Sequence, residues 1–148
     1  MSENSRTVHA PAQDVWTVLT DGWLYPLWVV GASRMREVDD DFPAVGSRLH
    51  HSVGSWPLLI DDNTEVLEVE EGKRLVLQAR AWPTGEARVE IELRPIVSDT
   101  GEATEVVMRE DARRGPALLI PPPVRHPMLA WRNTESLRRL AYLAERRQ

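Results

Sequence analysis

The chain has 148 residues, 42% hydrophobic and 28% charged, the balance of an ordinary globular domain and not of a disordered one. A net charge of −5 and a pI near 5.4 argue against nucleic-acid and anionic-membrane partners, both of which demand a basic face. Without cysteine there is no disulfide, no thiolate metal site and no cysteine nucleophile.

In chain order, Arg6–His9 reads as a short first strand. Ala10-Pro11 then opens a helix, because the missing N–H of proline costs nothing at the first helical position. Ala12, Val15, Trp16 and Leu19 follow at helical spacing as a buried stripe, and Gly22 stops it. A second short helix covers Pro26–Val30 and ends at Gly31. Strands come next, each bounded by turn residues: Met35–Asp39, Arg48–Val53, Thr64–Glu70 and, beyond the Glu71-Gly72 hairpin turn, Leu75–Ala81. Glu86–Arg94 alternates most cleanly. Ala87, Val89, Ile91 and Leu93 face one way, and Arg88, Glu90, Glu92 and Arg94 the other. A turn at Ser98–Glu102 leads to the last strand, Thr104–Glu110, with Val106 and Met108 on one face. The final element is a long helix from about Pro127 to Arg147, with Ala130, Leu137, Leu140, Ala141 and Ala144 along its apolar side.

No flexible linker interrupts this run, so residues 1–148 are expected to form one domain. Met1–Arg6 lacks the apolar core of a signal peptide. The longest apolar run, Pro116–Val124, contains four prolines and is too short to span a bilayer. The expected protein is cytoplasmic, without integral membrane association, and a monomer or homodimer.

A strand, two short helices, about six strands and a long C-terminal helix together resemble the START-like superfamily, the polyketide cyclase/dehydrase and lipid-transport proteins with a helix-grip fold. Three phrases carry the resemblance locally: Ala10-Pro11-Ala12-Gln13-Asp14-Val15-Trp16, Gly46-Ser47-Arg48-Leu49, and Arg132-Asn133-Thr134-Glu135-Ser136-Leu137. It implies an α+β fold in which a bent antiparallel sheet of six or seven strands wraps with the long helix around a deep cavity for apolar small molecules. The Gly-rich loop of the plant pollen-allergen branch is absent, since the corresponding loop holds only Gly46. A shared fold does not fix a shared activity.

Six tryptophans against one Phe and two Tyr offer large apolar faces, each with a single N–H donor. Trp28 and Trp56 lie nearest the expected mouth, as pocket or as packing residues. Val89, Ile91, Met108 and Leu137 have inward parity and would line the pocket. His50 and His51 are adjacent on a strand, so they point to opposite faces and cannot share a metal ion. His51 has the parity of Leu49 and Val53, which makes it a candidate general base or a hydrogen-bonded interior histidine. Glu110 shares parity with Val106 and Met108. It is either a proton-transfer carboxylate or a rim residue paired with Arg109, Arg113 or Arg114. Asn133 interrupts the apolar stripe of the last helix and needs a polar partner, whereas helical rotation sends Arg132 to the outer surface. The Pro-rich segment 116–123 fits a flap, a dimer contact or packing beneath the last helix. No nucleotide-binding, nucleophile-elbow or metal-ligand spacing is present, so no cofactor is expected.

Three functions fit. The first is binding of an apolar or aromatic small molecule, as carrier or sensor, in a Trp-lined cavity. The second is an aromatase/cyclase-like enzyme in which His51 or Glu110 moves a proton. The third is a protein-interaction module of the chaperone-activator kind.

Overall fold

The structure is a computed structural model that describes residues 2–30, 32–53, 60–81, 85–98, 101–114 and 121–146. Its elements are β1 (Ser2–Val8), α1 (Ala12–Thr20), a short 3₁₀ turn (Gly22–Leu24), α2 (Tyr25–Trp28), β2 (Ala32–Val38), β3 (Arg48–Val53), β4 (Ile60–Glu70), β5 (Arg74–Ala81), β6 (Gly85–Ser98), β7 (Gly101–Arg114) and α3 (Pro122–Glu145). The seven strands form one antiparallel sheet in the order β1-β7-β6-β5-β4-β3-β2. Six of them are a simple meander, and β1 returns to the far edge to pair with β7. Register shifts put extra residues into β2, β4 and β7, which bends the sheet. This is the expected helix-grip fold.

Strand parity holds across the sheet. Leu49, Val66, Leu75, Leu77, Ile91, Leu93, Val106 and Met108 are buried in one cluster with Leu137, Leu140, Ala141 and Ala144 of α3. Val15, Trp16, Val18 and Leu19 of α1 join the same core. On the other face, the outward set of β6 is laced by ion pairs: Arg74 Nε to Glu90 at 2.8 Å, Arg88 to Glu68 at 3.1 Å and Arg94 to Glu92 at 2.6 Å.

The sequence reading placed several boundaries too narrowly. β6 and β7 run to Ser98 and from Gly101, so the turn between them is shorter than expected. α3 begins at Pro122, five residues before Pro127, because prolines suit a first helical turn and this one takes two. Pro127 is then carried inside the helix. Gly22 is buried for a reason other than helix termination. A Cβ there would lie 2.5 Å from Leu49 Cδ2 and 2.9 Å from both Val38 methyls, so only glycine lets the turn touch β2 and β3. Gly72 sits at φ +77° in the β4–β5 turn, as a hairpin requires.

α3 is fastened at both ends of its buried stretch. Asn4 Nδ2 donates to Thr134 Oγ1 at 3.1 Å, and the His9 backbone N–H donates to Glu145 at 2.9 Å. α2 is held to it by the Val30 N–H, which donates to Ser136 Oγ at 3.2 Å. Among the described residues, no helix is long and apolar enough to cross a membrane.

Candidate functional site

A polar cluster lies inside the apolar core, where α2, the sheet and α3 meet. Pro26 in the first turn of α2 starts a helix of barely one turn, which puts Tyr25 and Trp28 on the same inner side. Both are buried and meet edge to face, with ring centroids 5.7 Å apart. Tyr25 also stacks on His51 of β3 at 5.5 Å. Thr64 of β4 links the two rings. Its hydroxyl lies 2.8 Å from His51 Nε2 and 3.3 Å from the Tyr25 hydroxyl. Tyr25, Thr64 and His51 thus form one hydrogen-bonded chain tying α2 to the sheet.

Glu110 and Arg132 complete the cluster from the other side. Glu110 is buried on β7 directly opposite Val89 of β6, and Arg132 of α3 donates to its Oε1. Burial pushes the Tyr25 hydroxyl pKa up, its bond to Thr64 opposes the rise, and the charges of Glu110 and Arg132 act on it in opposite senses. Both charged groups therefore lie within electrostatic reach of Tyr25. His51 is pushed down to about 4, chiefly because burial disfavours the imidazolium, so it is neutral at physiological pH.

Four buried polar atoms here have no hydrogen-bond partner: Trp28 Nε1, His51 Nδ1, Glu110 Oε2 and Asn133 Nδ2. Each such orphan costs about 1–3 kcal/mol. Such atoms on α2, β3, β7 and α3 are a reason to look for a ligand.

Of the residues expected to form a site, Trp28 and His51 both touch Tyr25, Glu110 lies within electrostatic reach of it, and Asn133 is buried on α3 next to Arg132. Ile91, Met108 and Leu137 belong to the buried apolar core beside them. Val89 is only half-buried and packs against that core. Trp56 lies outside the described residues, as do Trp82 and most of the Pro-rich segment. Trp23 and Trp131 are exposed. Arg132 requires a correction: its Cα lies on the flank of α3, but the long side chain turns inward to Glu110 while remaining 40% exposed. Arg109 is not the partner of Glu110, because neighbours on a strand face opposite ways; it binds Glu3 at 2.9 Å and Glu92 at 3.2 Å on the outer face. His50 likewise points away from His51 and lies 2.9 Å from Asp39. Among the described residues no group of three His, Asp or Glu side chains is placed to hold a metal.

Sequence reasoning missed Tyr25 and Thr64. Thr64 was legible from its parity with buried Val66. Tyr25 was legible from its spacing of three to Trp28.

A depression open to solvent, about 480 Å³ in volume, lies outside the sheet between the end of α1 and β2; Thr17, Asp21, Trp23, Asp39 and Phe42 line it. It does not include the polar cluster.

The family model for polyketide cyclase / dehydrase and lipid transport matches residues 2–145. Among solved structures, a Deinococcus radiodurans protein is 24% identical, with 99% of this chain and 98% of that one covered and a TM-score of 0.66. The di-domain ARO/CYC StfQ from the steffimycin biosynthetic pathway is 13% identical, with 98% of this chain aligned to 50% of that one at a TM-score of 0.68. Ara h 8.0201 is 12% identical, with coverage of 96% and 95% and a TM-score of 0.66. No protein of curated function matches the sequence. At these identities the solved structures speak to the fold alone, whereas the family model spans nearly all of the sequence. The chain belongs to the polyketide cyclase / dehydrase and lipid transport family.

Proposed function

We propose that this protein binds an apolar or aromatic small molecule between α3 and the inner face of the sheet, as a carrier or sensor. The observation that carries the reading is the set of four unpartnered polar atoms within an otherwise apolar core. Apolar walls with a few convergent polar groups are the usual make-up of a ligand site. Burial supports the same location. Leu75, Leu77, Ile91 and Leu93 are fully covered, but Ala79, Ala87 and Val89, further along the same inner face, are only partly so.

Binding fits the site better than catalysis by a single base. A histidine with a pKa of about 4 is a weak base at neutral pH, far from the value that favours proton abstraction. A cyclase-like reaction would instead rest on Glu110, whose Oε2 is unpartnered. Native mass spectrometry of protein purified from its own host tests the binding reading, which expects a co-purified small molecule of stoichiometric occupancy. Leu137→Trp, which fills the interior beside Asn133, should abolish that occupancy while circular dichroism stays native. An empty wild-type protein that also fails to take up apolar aromatic probes would overturn the reading. Turnover of the found ligand that drops roughly 10²–10⁴-fold in Glu110→Gln would establish the enzyme instead.

A further inference from the structure

The outer side of α3 is patterned as regularly as its inner one. Val124, Trp131 and Tyr142 are exposed, at 54%, 69% and 58%, although a helix laid on a core needs no aromatic side chains on its solvent side. Their successive spacings of seven and eleven residues are close to two and three full turns, so the three lie in one line. Asn133, Leu137, Leu140 and Ala144 fall on the opposite, buried side. Glu135 and Arg138 stand along the line between the two aromatic residues, and Arg138 donates to Glu135 at 2.7 Å. Arg146 lies over the Tyr142 ring, 4.6 Å from its centroid. Tryptophan, tyrosine and arginine side by side on a solvent face are the composition of a protein contact.

This line is complementary to a second copy of itself in one direction only. Trp131 stands as far before the level midway between Ser136 and Leu137 as Tyr142 stands beyond it, and Glu135 and Arg138 are related in the same way. A second α3 turned end for end about a twofold axis at that level therefore sets its Tyr142 against Trp131 and its Arg138 against Glu135. Parallel alignment would set Trp131 on Trp131, but also Arg138 on Arg138 and Arg139 on Arg139, like charge against like. Opposed helix dipoles favour the antiparallel arrangement as well. We propose that this protein forms a twofold dimer through the outer face of α3, with the two helices antiparallel. The symmetry doubles every contact, so the interface holds two Trp–Tyr pairs and two Glu–Arg pairs.

Sedimentation equilibrium of the full chain tests this. The wild type should move from 16.8 kDa towards twice that mass as its concentration rises from about 1 to 100 µM. Trp131→Ser should weaken association about tenfold or more, with an unchanged thermal midpoint because the residue is exposed. The charges give a sharper readout. Glu135→Arg and Arg138→Glu should each be monomeric alone, since each brings like charges together across the axis. An equimolar mixture of the two should form a heterodimer, because the added charge of each variant then meets its opposite. A wild type that remains at 16.8 kDa at about 100 µM would overturn self-association and leave the line to a different protein or to solvent. A dimer indifferent to Trp131→Ser, or charge variants that fail to rescue each other, would place the contact elsewhere and overturn this face. Neither outcome touches small-molecule binding.

Discussion

Lowering the pH should destabilise this protein through one buried histidine. His51 has a pKa of about 4 in the folded state against 6.5 when unperturbed, so the unfolded chain binds its proton first. Stability from this group is therefore complete above pH 6.5 and is lost as the pH falls towards 4. Between pH 7 and 4.5 the loss is roughly 2.5 kcal/mol, with a slope no steeper than about 1.4 kcal/mol per pH unit. Carboxylates act in the opposite direction of shift and at lower pH. Glu135 is held at about 2 by Arg138 and Arg139, and Asp39, Asp61, Glu68 and Glu92 are lowered by hydrogen bonds from His50, Ser52, Arg74 and Arg94. Their contributions are present above the ordinary carboxylate range, about 4, and are lost below it. Comparison of the wild type with a His51 variant between pH 6.5 and 4.5 thus isolates this group from the other histidines. Urea unfolding across that window should give a stability that falls more steeply for the wild type than for His51→Gln, whose amide cannot take the proton. Parallel slopes for the two proteins would refute the argument that His51 is neutral because it is buried.

Two further substitutions probe the framework around the site. Thr64→Val keeps the shape of a fully buried residue but strands both Tyr25 and His51, and should cost roughly 2–4 kcal/mol in urea unfolding. Gly22→Ala forces Leu49 and Val38 aside and should cost about 1–3 kcal/mol, read as a fall in the thermal midpoint; an unchanged midpoint would mean the turn is free to move.

The residues that identify the fold and those that make the site were legible to different degrees. Period-two alternation in Glu86–Arg94 and the apolar stripe of Leu137, Leu140, Ala141 and Ala144 recur many times, so each strand or helix reports itself. Parity also placed His51 and Glu110 on the inner face. Partners were harder to read, because they depend on distances between elements far apart in sequence. Nothing local says that Thr64 meets Tyr25, 39 residues away, or that Arg132 bends back to Glu110 across 22. A guanidinium at the end of a long flexible stem is poorly described by the direction of its Cα, which is why helical rotation misassigned Arg132 to the outside. Proline misled in the opposite way, since Pro127 looked like a helix start and is an interior residue of α3.

The position of β1 bears on the order in which the molecule can assemble. Ser2–Val8 pairs with residues 104–110, Asn4 reaches Ala130 and Thr134, and the Ala10 carbonyl accepts from Thr104. While the chain is being synthesised, the meander from β2 to β6 can zip hairpin by hairpin behind the ribosome, but β1 must wait until β7 and then α3 have emerged. Such long loop closures are slow compared with hairpin formation. During that interval the free edge of β7 is a template on which the β1 of a neighbouring chain would fit equally well. The earliest of the seven strands to be synthesised is thus the last to be placed, and crowding of nascent chains is when this fold is most exposed to exchanging it.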